Sequence, residues 1–145
     1  MSTDRTAADA ANYLQGVCHE AAHAAGWWDT KLTPQGFSYT VDVDLRAVVR
    51  ARTRFGIALV NEKIALIHSE VSEALEGARK DKQDEHLPHR KSVEVELADA
   101  VIRICDLAGA MGLDLGGALA EKMAYNAQRE DHKVEARTAV GGKAF

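Results

Sequence analysis

Residues 57–79 read IALVNEKIALIHSEVSEALEGAR, and residues 93–112 read VEVELADAVIRICDLAGAMG. Both carry apolar residues at the helical period. In the first, Val60, Ile64, Ile67, Val71 and Leu75 predict a buried stripe. In the second, Leu97, Val101 and Ile104 form one apolar face, while Glu96, Asp99, Arg103 and Asp106 share another, with Ile102 beside them. The run DKQDEHLPHRK at 81–91 contains Pro88 and is polar, which makes it a solvent-facing linker between two helices. Ser92 is the expected N-cap of the later helix, and Gly112 its stop.

Two more helices flank this pair. Residues 7–25, AADAANYLQGVCHEAAHAA, place Tyr13, Leu14, Val17 and Ala21 on one face, and Gly26 ends them. Asp114 is the natural N-cap of LGGALAEKMAYNAQREDHKVE at 115–135, although Gly116 and Gly117 weaken its first turn. Residues 26–44 read as a loop, with FSYTVDV at 37–43 its β-prone part; a loop of this length often covers a site. Asp44 is placed to cap a short helix, DLRAVVRARTRFG. The expected fold is all-α, a bundle of four main helices in a single domain over residues 1–145, with flexible ends at about 1–6 and 138–145.

Composition fits one soluble core: 145 residues, 46% apolar and 28% charged. A net charge of −4 gives no support to nucleic-acid binding. It also requires that a phosphate-rich substrate meet local cations. Cys18 and Cys105 form no disulfide framework, there is no apolar run long enough for a membrane span, and MSTDRTAADA lacks the basic start and apolar block of a signal peptide. The expected location is a reducing cytoplasm.

The chemistry lies in two acidic pairs. Glu70 and Glu73 are spaced i, i+3 on one helix, and Glu96 and Asp99 are spaced i, i+3 on the next. Four carboxylates converging inside a bundle repel one another unless positive charge lies between them. Magnesium, with manganese as a substitute, is the expected cation, because hard cations take carboxylate and phosphate oxygens together. Considered alone, each pair reads equally as part of a solvated helix surface. On the last helix Lys122, Asn126 and Arg129 share one sector and suit phosphate or carboxylate partners; otherwise they are an ordinary basic helix end.

The stretches SEVSEALE and VEVELADAVIRI, followed by Lys122, Asn126 and Arg129, resemble the all-alpha nucleotide pyrophosphohydrolases of the MazG type. The small phage-like and bacterial members are the most similar, through HEAAHAAGWWD near the N-terminus, Lys63 in NEKIALIHSE and the closing GGKAF. This resemblance implies a MazG-like fold, homodimers or homotetramers, and cleavage of a nucleoside triphosphate to monophosphate and pyrophosphate. It implies magnesium held by Glu70, Glu73, Glu96 and Asp99, with phosphate bound by Lys122 and Arg129. Where many members carry two adjacent glutamates, this chain has Ser69 and Glu70. Trp27 and Trp28 are the residues available to stack on a base, or else form an aromatic plug behind the first helix.

Three other readings compete. His19, Glu20 and His23 match His-Glu-x-x-His, the helical zinc-hydrolase pattern, without its downstream extension. Arg46, Arg50, Arg52 and Arg54 form a basic cluster that would suit phosphates or a subunit contact. A non-catalytic helical module, binding a nucleotide or a protein, would use the acidic pairs only for solubility or salt bridges.

Overall fold

The structure, a computed structural model, describes residues 3–32, 39–42, 47–48, 51 and 53–129. Four main helices account for most of them: α1 (Thr3–Ala24), α2 (Arg54–Lys80), α3 (Ser92–Met111) and α4 (Leu115–Gln128). The all-α class expected from the sequence is observed. No described helix is long and apolar enough to cross a membrane. Part of the expected long loop instead forms an antiparallel hairpin, β1 (Asp29–Leu32) with β2 (Tyr39–Asp42), in which Asp29 faces Asp42 and Leu32 faces Tyr39. Thr30, Thr40 and Val41 are β-branched, which suits extended backbone better than helix.

Helix boundaries follow local chemistry. Helix α1 already begins at Thr3, so residues 3–6 are helical rather than loose. Helix α2 starts three residues earlier than its apolar pattern, because the Thr53 side chain accepts the Gly56 N–H at 3.0 Å. Lys91, not Ser92, occupies the N-cap position of α3, with no side-chain cap bond. Gly112 ends α3 in the left-handed region at φ 66°, where its N–H reaches the Ala108 and Gly109 carbonyls. Asp114 caps α4 as expected, its carboxylate accepting the Gly117 N–H at 2.9 Å. Of the predicted short helix at 44–56, Ala47 and Val48 are helical and Arg54 opens α2, whereas Arg46, Arg50 and Arg52 lie outside the described residues. Residues 130–145, including the expected flexible tail, also lie outside them.

The chain groups into two compact units, Leu14–Leu113 and Met1–Tyr13 with Asp114–Phe145. In the smaller unit, Asn12 joins α1 to the start of α4: its Oδ1 accepts the Gly116 N–H at 2.9 Å and its Nδ2 donates to Asp114 Oδ1 at 3.2 Å. In the larger unit, α2 and α3 pack along their length. Gly77 lies against Ser92 and Glu70 against Arg103, so the two helices run antiparallel. The apolar centre of this unit is Trp28, Leu107 and Ala110, with Ala22, Leu59, Ile67 and Met111 packed around it.

Of the expected stripe of α2, Val60 and Ile67 are half-buried, Ile67 against the apolar centre, and the other three residues face outward. Ile64, Val71 and Leu75 are 42%, 49% and 60% exposed. The buried line is Gly56, Glu70, Ala74 and Gly77. Helix α3 behaves alike: Leu97, Val101 and Ile104 are exposed, while Ala100 and the run Cys105 to Ala110 are buried. Small residues bring the two backbones close together, and this contact turns the bulky aliphatic stripes outward. At Gly77 a Cβ would meet Ser92 Oγ at 2.7 Å and Val93 N at 3.0 Å, both tighter than side chains tolerate. Gly77→Leu is therefore expected to destabilise the protein by about 1–3 kcal/mol through overpacking. Ala78→Leu, at the neighbouring exposed position, should change little. Urea unfolding of both variants checks this; equal midpoints would contradict the close packing.

Candidate metal centre and adjoining cavity

Antiparallel packing sets the middle of α2 against the middle of α3. Glu70, Glu96 and Asp99 each present a carboxylate oxygen there, and all three oxygens lie within 4.8 Å of one another. Glu70 is buried, and Glu96 and Asp99 are half-buried. Arg103 joins them from the same face of α3, its Nε donating to Glu70 Oε1 at 2.6 Å. Three carboxylates thus converge, and the Arg103 guanidinium pairs with one of them, Glu70. The Glu96 carboxyl is pushed above its ordinary value, first by burial and then by the charges of Glu73, Glu70, Asp99 and Asp84. That imbalance is what a divalent cation relieves, and an all-oxygen, anionic donor set suits a hard one. The cluster can hold such an ion.

The fourth predicted ligand, Glu73, is exposed and falls outside this three-residue group. Together with Glu96 and Asp84 it lines a separate cleft of about 230 Å³. Ser69 supplies no carboxylate: its hydroxyl donates back to the Leu66 carbonyl at 2.7 Å.

Beside the cluster opens a cavity of about 380 Å³. Asp99 and Arg103 form part of its lining, so cavity and carboxylates are continuous. Its apolar wall includes Ala21, Ala22, Leu66 and Ile102. Trp27 and Lys63 also border it. Lys63 Nζ donates to the Trp27 carbonyl at 3.3 Å and sits 4.3 Å from the Trp28 ring centre. The two tryptophans separate sharply. Trp27 is 65% exposed and free to stack, while Trp28 is 5% exposed and is the plug. The Trp28 Nε1 donates to Asp106 Oδ1 at 2.8 Å, and the His19 ring meets its edge.

His19 and His23 stand edge to face, with ring centres 5.5 Å apart. His19 Nδ1 is 2.9 Å from Asp106 Oδ1, so this histidine braces the buried aspartate. Among the described residues Glu70, Glu96 and Asp99 are the metal-capable group, and neither histidine belongs to it. Nothing in the geometry therefore favours a zinc site at His19, Glu20 and His23. Lys122, Asn126 and Arg129 lie in the smaller unit. There Lys122 Nζ lies 4.7 Å from the Tyr125 ring centre, Asn126 Oδ1 is buried without a hydrogen-bond partner, and the Arg129 N–H donates to the Asn126 carbonyl. Comparison with protein families, with curated proteins and with solved structures finds no match.

Sequence reasoning gave no role to Arg103 or Asp106, although both share the helical face of Glu96 and Asp99. Their spacing of four and seven residues from Asp99 was the available signal. A cation bound among the carboxylates should raise thermal stability; occupancy at about 100 Kd corresponds to about 2.7 kcal/mol. Millimolar magnesium or manganese is expected to raise the melting temperature of the native chain. Glu96→Gln should lose that response while gaining stability without metal. A native chain unmoved by either ion contradicts the site.

Proposed function

We propose that this chain is a magnesium-dependent nucleoside triphosphate pyrophosphohydrolase of the MazG type. The observation that carries the reading is the convergence of Glu70, Glu96 and Asp99 beside a cavity bordered by Trp27 and Lys63. Bound among those carboxylates, magnesium supplies charge neutralisation for phosphate oxygens, polarisation of phosphorus and activation of water. The protein positions the rest. Glu70, Glu96 and Asp99 would hold the ion, and Glu73, close enough to raise the Glu96 carboxyl, would add negative charge at the edge of the set. One cluster carboxylate takes the proton of the attacking water. A new O–P bond forms at the α-phosphorus while the bond to the bridging oxygen of the β-phosphate breaks, releasing monophosphate and pyrophosphate.

Lys63 is held by the Trp27 carbonyl and the Trp28 face, leaving ammonium protons for a phosphate. Lys122, Asn126 and Arg129 are assigned to phosphate and sugar contacts on the family resemblance. The outward aliphatic stripes of α2 and α3 support the homo-oligomer which the same resemblance implies.

Incubation with each NTP and dNTP in magnesium, with products identified, tests the reaction. Monophosphate plus pyrophosphate is expected; diphosphate plus inorganic phosphate contradicts the cleavage position, and nucleotide binding without turnover identifies a non-catalytic module. Asp99→Asn should lower kcat/KM by more than about 10-fold with unchanged helicity. Full activity in that variant removes Asp99 from the site.

A further inference from the structure

Within the larger unit, α1 and α3 run antiparallel and close together. Gln15 Nε2 donates to the Leu113 carbonyl at 2.7 Å, a Cβ at Gly109 would meet His19 Cβ at 2.6 Å, and His19 Nδ1 lies 2.9 Å from Asp106 Oδ1. Residue numbers therefore fall along α3 as they rise along α1. Cys18 and Cys105 each directly precede a member of the His19–Asp106 contact. Their thiols are neighbours: Cys105 is pushed above its ordinary value first by burial, then by the charge of Cys18 and a side-chain hydrogen bond to it. The two differ in access. Cys105 is 4% exposed, whereas Cys18 is half-buried and lines the 380 Å³ cavity. A disulfide needs Cα atoms within about 7 Å of one another. The approach over Gly109, one helical turn from Cys105, is of the kind that brings two helix backbones that near.

We propose that Cys18 and Cys105 form a reversible thiol–disulfide pair, closed by a hydroperoxide, that ties α1 to α3 at the cavity wall. The inference does not rest on the nucleotide reading above. Cys18, reached through the cavity, is the attacking thiol. Its sulfur, as thiolate, bonds to one peroxide oxygen while the O–O bond breaks, leaving a sulfenic acid on Cys18 and, with the thiol proton, one water. Cys105 resolves that acid. Its sulfur bonds to the Cys18 sulfur, the S–O bond breaks, and the hydroxyl departs with the Cys105 proton as a second water. Two electrons thus pass from the thiol pair to the peroxide. A dithiol reductant reopens the bond by thiol–disulfide exchange. Burial suits Cys105 to the second step: a thiol kept protonated is a poor target for peroxide, yet this one lies beside the sulfenic acid. Cys18, Asp99 and Arg103 line one cavity, so closure fixes a wall of the space that adjoins the carboxylate cluster.

Treatment of the dilute native chain with hydrogen peroxide, followed by peptide mass mapping without reduction, provides the test. A peptide pair linked through Cys18 and Cys105 is expected within single chains, and dithiothreitol should abolish it. Because the bond closes a long loop, the oxidised chain should melt at least about 5 °C above the reduced one. Cys105→Ser removes the resolving thiol. It should accumulate sulfenic acid on Cys18, trapped by dimedone, with no rise in melting temperature on oxidation. Cys18→Ser should leave Cys105 unmodified at the peroxide dose that closes the native pair. Both thiols free in the peroxide-treated native chain overturn the proposal, as does Cys18 left as sulfenic acid or joined to a second chain. A linked chain that melts no higher than the reduced one overturns the tie between the folded helices. Should either variant fail to fold, the peptide map of the native chain decides alone.

Discussion

Glu70 lies buried between α2 and α3, and among the described residues the positive group hydrogen-bonded to it is the guanidinium of Arg103. Transferring a carboxylate out of water costs several kcal/mol even after relaxation, and one guanidinium offsets that cost only when no further negative charge shares the space. Glu96 and Asp99 do share it. The raised Glu96 carboxyl records the result: burial and neighbouring carboxylates disfavour its charged form. Mutual repulsion therefore acts at the contact that joins α2 and α3, and a divalent cation among the three carboxylates would offset it.

Close packing makes the convergence possible. Gly77, Ala74 and Ala100 line the approach of α2 to α3, and at Gly109 a Cβ would meet His19 Cβ at 2.6 Å, so α1 also approaches α3 over a glycine. Bulkier residues at these positions would spread the carboxylates apart. The aliphatic side chains that a conventional core would use are displaced to the outer faces of α2 and α3, and among the described residues no large side chain is fully buried. Small residues also leave space beside the cluster, in the cavity that Ala21, Ala22 and Ile102 help to line.

Much of this was legible in the sequence, for identifiable reasons. Helical period, Gly112 and Asp114 gave the four helices and two of their ends, because caps and breakers act locally. The i, i+3 acidic pairs pointed to the cluster, because helical geometry fixes which side chains share a face. Strand β2 lies within FSYTVDV, the stretch read as β-prone, whereas β1 was read as loop: four residues are too short for alternation to show. The buried face of α2 was misjudged because hydrophobicity ranked Ile64, Val71 and Leu75 above Ala74 and Gly77, whereas the interface selected for small size. Trp27 and Trp28 are adjacent and chemically identical in sequence. Only the Asp106 carboxylate, 78 residues away, separates the plug from the exposed ring.

The central claim is that Glu70, Glu96 and Asp99 form a single cation site. Anomalous diffraction from crystals of the chain soaked in manganese tests it most directly. The account predicts one strong manganese peak within coordination distance of all three carboxylates, lost in Glu96→Gln crystals. No peak among those residues, or a peak coordinated by His19 and His23 instead, would contradict it.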